Sequence, residues 1–411
     1  GQGNKTVLEK LIEEALKNNP ELKAFKEKIQ VFKQRPPQAK SLDDPRLRLS
    51  IMNLPVDTFR FNQEAMTQKQ ISIMQKFPFP GKLSLKGNMA EKELEIVKEE
   101  YVDKKNNIIK KVKVVYQDIL FIYKAIEITK DNRGLLREFV KIAETKYTVG
   151  KGIQQDVLKA QVELSRMIDR LILLEQKRQT AVARLNTLLN RPTQMLFTPL
   201  DSKHLTGFTD IGQIKQTSFN LTFENLQKIA EEKRPVLIGL RHLIERYRLS
   251  YRLAKKDYYP DFDFAIGYGQ RDDKSRVERT DFLSGSIMLN IPIWYKTKES
   301  RKVAEEKANM RKATEQYNSM KNEILFQIKD ILTEIERYNQ EIELFNTGLI
   351  PQSTLSLESA IAGYKANKVD FITLVNNQIT LYNYEIDYYR ALTAYEKKVA
   401  ELEAVVGRRL F

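Results

Sequence analysis

Apolar side chains recur at helical spacing over most of the chain, which predicts a mainly α-helical protein. Two of these patterns are very long, and each is followed by a short break and a return pattern. The return patterns place apolar residues at alternating spacings of three and four, as in the a/d seam of a coiled coil. The sequence therefore predicts two long antiparallel helical hairpins. The predicted helical stretches are 6–41 with a break at Asn19-Pro20, about 83–147, about 154–190, about 223–258, about 297–363 and about 370–407.

Two residues are expected to disturb the long helices. Pro351 predicts a kink in the second one, because proline lacks a backbone donor and its ring crowds the preceding turn. Gly134 marks the corresponding place in the first.

Four short segments alternate between apolar and polar residues, which is typical of strands with one apolar and one polar face. They cover 45–53, 68–77, 261–269 and 281–293. The prolines of FPFPGK at 77–82 and of IPIW at 291–294 end the two strand pairs. The charged residues that we place on the polar faces are Arg46, Arg48, Asp261 and Asp263.

Four strands of this kind pose a structural problem. They are too few to close a barrel, and an open sheet with an apolar outer face is poorly soluble. Membrane barrels start at eight strands and are apolar outside and polar inside, which fits this alternation. A closed barrel would then need several chains that contribute four strands each. An ordinary small sheet packed on the helices is the alternative that strand alternation alone leaves open.

The order of these elements occurs twice, which indicates a tandem duplication. A shift of 215 residues aligns Pro20 with Pro235, and a shift of 214 aligns Lys82 with Lys296. A shift of 217 brings Tyr147 onto Tyr364. Because the offset drifts by only three residues, we predict two similar halves, 1–210 and 211–411, joined near 191–222.

Composition narrows the possible chemistry. The 411 residues include no Cys and only two His, His204 and His242, which excludes disulfides, thiolate metal sites and a His-rich zinc site. The formal charge is +15, but the densest basic run, 104–113, carries apolar residues at helical spacing and reads as a solvated helix face. We therefore expect no nucleic-acid partner, no cofactor, no metal site and no enzymatic activity.

Several motifs resemble the TolC-like outer-membrane efflux proteins. They are YTVGKGIQQDVLKAQ at 147–161, LIPQSTLSLESAIAGYKANKVDFITLVNNQITL at 349–381 and RALTAYEKKVAELEAVVG at 390–407. The segments DPRLRLSIMNLPVDTF and EAMTQKQISIMQKFPFPGK are most similar to members that serve heavy-metal resistance-nodulation-division (RND) pumps. The resemblance covers almost the whole chain in the same order.

This resemblance implies a mainly α fold with a membrane β-barrel. Four strands per chain would share a twelve-stranded barrel in a homotrimer, and the hairpins would form a trimeric α-barrel tunnel through the periplasm. Such a protein is a passive duct in the outer membrane. Its implied partners are a periplasmic adaptor (membrane fusion) protein, an inner-membrane RND pump and outer-membrane lipid, and its role is the efflux of metal ions or small toxic compounds.

The resemblance also places functional residues at the hairpin tips and in the barrel. The charged strand residues Arg46, Arg48, Asp261 and Asp263 would face the barrel lumen. The adaptor would dock on Tyr147, Val149, Gly150, Gly152, Asp156, Asn367 and Lys368, and the periplasmic gate would comprise Asp156, Tyr364, Asp370, Thr373 and Asn376.

The chain departs from the family pattern at the second tip. Asn367 stands where the family usually has Gly, although Asn also tolerates a positive φ. Neither Thr373 nor Asn376 is acidic, which argues against a cation-binding constriction there. Asp370 is either a gate residue or the N-cap of the return helix, with the cap favoured, and Tyr364 is either a gate residue or packing at a helix end.

An alternative function is a cytosolic coiled-coil scaffold whose basic surface binds anionic membrane or nucleic acid. It accounts for the charge and the heptads. It does not account for two strand pairs at matching places in a duplication.

Overall fold

The computed structural model describes residues 6–197 and 222–410, and most of these are helical. None of the helices within these ranges is long and apolar enough to cross a membrane. The helices are α1 (Val7–Asn18), α2 (Pro20–Lys33), α3 (Arg35–Lys40), α4 (Lys82–Thr148), α5 (Gln154–Leu189), α6 (Phe223–Lys233), α7 (Pro235–Lys256), α8 (Glu299–Leu344), α9 (Ile350–Lys365) and α10 (Phe371–Val406).

Local capping explains why the first helix begins and ends where it does. The Thr6 side chain accepts a hydrogen bond from the Glu9 backbone N–H at 3.2 Å, and the Glu9 carboxylate accepts one from the Thr6 N–H at 3.0 Å. This capping box begins α1. The Asn19 side-chain oxygen accepts from the Glu21 N–H at 2.9 Å, so the predicted break at Asn19-Pro20 is confirmed.

The second long helix changes its hydrogen-bond pattern at the predicted place. Phe345–Leu349 form a π-helical segment between α8 and α9, and Pro351 lies in the first turn of α9. Since Pro351 has no N–H, it cannot continue the bonding of the preceding turn. Gly134 causes no such change, and α4 is continuous through it. The expectation that it marks a matching disturbance is wrong, because glycine keeps its backbone donor.

The four predicted strands form one antiparallel sheet with the order β1-β2-β3-β4. Leu47 lies opposite Ile73, and Ile73 lies opposite Ile266, so the apolar positions share one face. Within the part of the chain that is described, β1 and β4 each pair with one strand only, which leaves two open edges. The strands are β1 (Arg46–Met52), β2 (Gln68–Phe77), β3 (Phe262–Gln270) and β4 (Phe282–Leu289).

The apolar face of this sheet is exposed in the single chain. Its eleven larger side chains are each between 45 and 76 % exposed. Such a continuous surface marks an interaction site with lipid or protein. The apolar face consists of Leu47, Leu49, Ile51, Ile71, Ile73, Phe264, Ile266, Tyr268, Leu283, Ile287 and Leu289.

The last strand is shorter than predicted. The alternation continues to Ile293, but β4 ends at Leu289. Pro292 has no donor for a ladder, and the Ile293 N–H instead bonds to the carbonyl of Ile291 at 2.8 Å in a tight turn. Alternation of side chains thus persists beyond the residues that pair.

The chain forms two compact units, and each takes residues from both halves of the duplication. Unit 1 contains the residues described among 1–25, 101–235 and 320–411, and unit 2 contains 26–100 and 236–319. The predicted division at residues 210 and 211 falls outside the described residues, as does His204.

Unit 1 is held together by buried faces of long helices. Phe139 of α4 and Phe371 of α10 are among its largest fully buried side chains and belong to one apolar cluster. Polar groups within the packing are hydrogen-bonded, as burial requires. The Thr129 hydroxyl, for example, lies 3.1 Å from the Tyr382 hydroxyl across α4 and α10.

Unit 2 contains the sheet, and a buried lysine fixes the start of α4 to it. Lys82 is only 5 % exposed. Its ammonium donates to Asp261 at 2.9 Å and lies 3.2 Å from the Asp257 carboxylate. Because a buried ammonium is costly without a counter-charge, this arrangement explains why both aspartates are present.

Candidate functional site at the hairpin tips

The first tip, residues 149–153, reverses the chain between α4 and α5. The Gly150 N–H donates to the Tyr147 carbonyl at 3.0 Å, and the Lys151 N–H donates to the Lys146 carbonyl at 2.8 Å. This pair of bonds is a Schellman motif, which needs one residue in the left-handed region. Gly150 supplies it with φ of 70°, and its lack of a side chain makes this conformation inexpensive.

The second tip, residues 366–370, repeats this geometry 217 residues later. The Asn367 N–H donates to the Tyr364 carbonyl at 3.2 Å, and the Lys368 N–H donates to the Gly363 carbonyl at 2.8 Å. Asn367 has φ of 59°. The departure from the family glycine therefore leaves the turn geometry unchanged, as expected from the tolerance of Asn for positive φ.

Four side chains meet where the two tips adjoin, and we call them the tip cluster: Lys146, Asp156, Tyr364 and Asn367. The Lys146 ammonium donates to the backbone carbonyl of Tyr364 and to the Asn367 side-chain oxygen, the latter at 2.6 Å. It also lies 4.0 Å from the centre of the Tyr364 ring, a cation–π contact. The Tyr364 hydroxyl donates to Asp156 at 3.5 Å. The tip cluster thus joins the two hairpins of one chain.

Burial sets the protonation behaviour of the cluster. Tyr364 is buried. Its burial and the charge of Asp156 raise the pKa of the Tyr364 phenol to about 12, so it stays a hydrogen-bond donor. Burial raises the pKa of Asp156 above its ordinary value of 3.8, and the nearby Asp370 carboxylate raises it further. The ionised form of Asp156 is therefore disfavoured at this position.

The remaining predicted gate residues lie at the start of α10. Asp370 is the N-cap of this helix, and its carboxylate accepts from the Thr373 backbone N–H at 2.8 Å. The interpretation of Asp370 as a cap is therefore confirmed. Hydrogen bonds from Thr373 lower the pKa of Asp370. Thr373 and Asn376 are exposed on α10 and are not members of the tip cluster.

Apolar side chains are exposed around the first tip. Tyr147, Val149 and Ile153 are 48, 61 and 59 % exposed. A side-chain carbon at Gly150 would meet nothing within 4 Å, whereas one at Gly152 would lie 3.0 Å from the Lys146 side chain. The first tip thus offers a small apolar surface beside an open glycine, while Gly152 is needed for close packing.

The charged strand residues divide into two groups. Arg46 and Arg48 lie on the polar face, where Arg48 is opposite Ser72 and Ser72 is opposite Gly267. Asp263 lies on the same face of β3. Asp261 instead precedes β3 and accepts hydrogen bonds from Lys82 and from the Phe79 backbone, so it serves the junction between strand and helix.

Sequence reasoning missed Lys146. It lies in the last turn of an amphipathic helix, where a lysine is ordinarily a solvated residue with a favourable position near the helix C-terminus. Its partners are more than 200 residues away in the chain. The duplication held a sign of it, because the equivalent position in the second half is Gly363 and a lysine at one tip only breaks the repeat.

Comparison with known families identifies the first half of the chain. Residues 11–191 match the family model described as outer membrane efflux protein. The comparison with curated proteins finds no significant match.

Solved structures match the fold over nearly the whole chain. The structure of CusC, described in terms of folding and transmembrane channel formation, gives a TM-score of 0.78 at 13 % identity and covers 98 % of this chain and 92 % of its own. VceC from Vibrio cholerae gives 0.77 at 17 % identity, with 98 % and 97 % covered. The open state of the Neisseria gonorrhoeae MtrE outer membrane channel gives 0.74 at 14 % identity, with 98 % and 89 % covered.

These findings confirm the resemblance to the TolC-like outer-membrane efflux proteins and the outer-membrane location with a periplasmic extension. They also confirm the mainly helical fold with four strands. Channels of different systems match almost equally well. The heavy-metal subtype suggested by the sequence therefore stays a prediction.

Proposed function

We propose that this TolC-like outer-membrane efflux protein acts as a homotrimeric, passive duct in a tripartite efflux system. One observation carries the proposal: a four-stranded sheet with an exposed apolar face and two open edges. An edge strand with free backbone groups and an apolar face is unfavourable in water. Three chains that contribute four strands each would close a twelve-stranded barrel, pair all edges and place the apolar face in lipid.

The polar face of the sheet supports the same arrangement. In a closed barrel it would line the lumen, with Arg46, Arg48 and Asp263 in contact with water. These residues lie among Ser and Gly positions of the neighbouring strands. The exposed apolar face also favours a channel over the cytosolic scaffold, because a soluble scaffold would have no use for it.

The tip cluster is our candidate for the periplasmic gate. It joins the hairpin of α4 and α5 to the hairpin of α9 and α10 through one ammonium and one phenol. Breaking these contacts would allow the second hairpin to move away from the first. We assign Asp156 and Tyr364 to the gate and add Lys146 and Asn367. Thr373 and Asn376 stay candidates for the tunnel wall.

The adaptor would dock at the tips. The exposed Tyr147, Val149 and Ile153 beside the open Gly150 offer a close apolar contact to the tip of a helical partner. Lys368 and Asn367 extend this surface to the second tip. An inner-membrane RND pump would supply the energy, since a duct has no energy source of its own. Metal ions or small toxic compounds are the proposed cargo.

Conductance in a planar lipid bilayer tests the proposed duct and its gate together. The purified protein should insert as pores that conduct poorly, and the Lys146→Gln variant should conduct several-fold better because its tips are less firmly joined. Expression in a bacterium that lacks its own channel should restore efflux when the cognate adaptor and pump are present. A correctly assembled protein that gives no pores, with or without the substitution, would contradict the proposal.

A further inference from the structure

The connector between β4 and α8, residues 290–298, exposes its apolar side chains. Ile291, Ile293 and Trp294 are 73, 70 and 74 % exposed. By sequence, Ile291 and Ile293 continue the series of alternate positions that ends with Leu289 on the apolar face. The connector therefore extends the apolar surface of the sheet beyond its last paired residue.

The equivalent segment in the first half is packed within the chain. Phe79, which corresponds to Ile293 at a shift of 214 residues, stacks on Tyr259 with ring centres 4.6 Å apart. Lys82, which corresponds to Lys296, is buried between two aspartates. The same piece of sequence is thus satisfied in one copy by its own chain.

The second copy has no such partners within the described residues. Lys296 is exposed and makes no hydrogen bond or ion pair there, and the Lys298 ammonium is near only the adjacent Glu299, at 3.8 Å. Residues 290–298 contain no acidic side chain. The connector therefore combines an exposed indole and two isoleucines with two cations directly after them.

This combination is chemically suited to the surface of a lipid bilayer. Tryptophan favours the boundary between acyl chains and headgroups, where its ring is apolar and its N–H finds a partner. Lysines placed there are attracted to anionic headgroups, and their stems remain in apolar surroundings. A zwitterionic headgroup would offer them no net charge.

We propose that the connector is a lipid-binding segment that selects anionic phospholipids. Ile291, Ile293 and Trp294 enter the boundary between acyl chains and headgroups, and Lys296 and Lys298 bind the phosphate groups of anionic lipids. The inference rests on the proposed function, because it requires the apolar face of the sheet to lie in lipid. Coverage of the connector by a second copy of the chain is the competing outcome.

Trp294 is the only tryptophan of the chain, so its fluorescence reports on this segment alone. The full-length protein is reconstituted in phosphatidylcholine vesicles with a minority of phosphatidylglycerol. Brominated acyl chains, which quench nearby indoles, are carried either by the phosphatidylglycerol or by an equal fraction of the phosphatidylcholine. We expect several-fold stronger quenching by the brominated phosphatidylglycerol. Lys296→Gln with Lys298→Gln should bring the ratio close to one.

Two controls separate the possible failures. Lys302→Gln removes a lysine that already pairs with Glu306 at 3.4 Å, and it should leave the ratio unchanged. A Leu289→Trp probe in a Trp294→Phe chain should be quenched by either brominated lipid, because it reports only that the sheet lies in the membrane.

The outcomes then read directly. Equal quenching of Trp294 by both lipids would overturn the selection of anionic headgroups. Absence of quenching at Trp294 with a quenched Leu289→Trp probe would overturn the lipid contact and indicate a second copy on the connector. An unquenched Leu289→Trp probe would overturn the membrane placement of the sheet, and this inference with it.

Discussion

The ammonium of Lys146 and the ring of Tyr364 lie 4.0 Å apart across the two hairpin tips, and the same ammonium binds the Tyr364 backbone carbonyl. That carbonyl is also the acceptor of the Schellman bond from Asn367. One lysine of the first hairpin therefore stabilises the C-terminal cap of the second. The contact links the conformation of one tip to the position of the other.

Replacing Lys146 should loosen the tips. Lys146→Gln removes the cation–π contact and the charged donor, which we expect to lower the free energy of unfolding by about 1 kcal/mol. Pore conductance in bilayers should rise at the same time. Lys365→Gln is the matched control, because this lysine lies at the end of α9 and is exposed. Equal effects of both substitutions would exclude a specific role for Lys146.

Asp156 should make the stability of the tips depend on pH. Its raised pKa means that the folded state disfavours the charged carboxylate. The cost is present above the raised pKa and disappears as the pH falls through it. Asp156→Asn, which is always neutral and still accepts from Tyr364, should therefore raise the melting temperature at neutral pH.

The difference in melting temperature between Asp156→Asn and the unmodified chain should shrink as the pH is lowered below the raised pKa. Asp370→Asn offers the opposite sign. The lowered pKa of Asp370 means that its charge stabilises the fold above its ordinary pKa of 3.8, and this contribution is lost on acidification. Parallel pH profiles for the two variants would refute both assignments.

Two asparagines with left-handed backbone distinguish turn strain from the contact with Lys146. Asn190 ends α5 with φ of 57°, and Asn367 lies at the second tip with φ of 59°. Asn190→Gly should stabilise the protein by roughly 0.5–1 kcal/mol, since glycine adopts this conformation without a side-chain clash. Asn367→Gly should stabilise it less, because it also removes an acceptor of Lys146. Thermal unfolding of both variants provides the comparison.

Gly150 tests adaptor docking at the first tip. Gly150→Trp places a large side chain where nothing lies within 4 Å, so it should block docking and efflux while helix content is retained. Any residue here is strained by φ of 70°, and Gly150→Asn controls for that strain because Asn fills the same position in the second tip. Full efflux by an assembled Gly150→Trp protein would mean that the first tip is not the docking site.

The membrane placement of the sheet is tested on its two faces. Leu289→Arg or Ile73→Arg should destabilise the assembled protein by about 2–4 kcal/mol if the position is near the bilayer midplane. The absence of Cys allows clean single-cysteine labelling. A hydrophilic reagent should reach a cysteine at position 263 and not one at 289. The reverse pattern would exchange the two faces.

Sequence reasoning predicted the elements well because they are punctuated locally. The predicted helix over 83–147 and the observed α4 differ by one residue at each end, since Pro and Gly residues flank it. The strand faces followed from alternation alone. The end of β4 was overestimated, because Ile291 and Ile293 keep the alternation after pairing has stopped.

The candidate site was predicted only in part. Tyr364 and Asp156 were found through a family motif, and their hydrogen bond confirms that they meet. The contact of Lys146 with Tyr364 joins residues 218 apart, and no local pattern encodes it. The connector after β4 showed its meaning only when its packed counterpart around Lys82 was available for comparison.

The central claim is that three chains complete one barrel, and the mass of the purified protein in detergent tests it most directly. Light scattering that separates protein from bound detergent should give three times the chain mass of 48.0 kDa. The trimer should be lost when detergent is removed, since the apolar face would then meet water. A stable monomer in detergent, or a soluble dimer without it, would contradict the account.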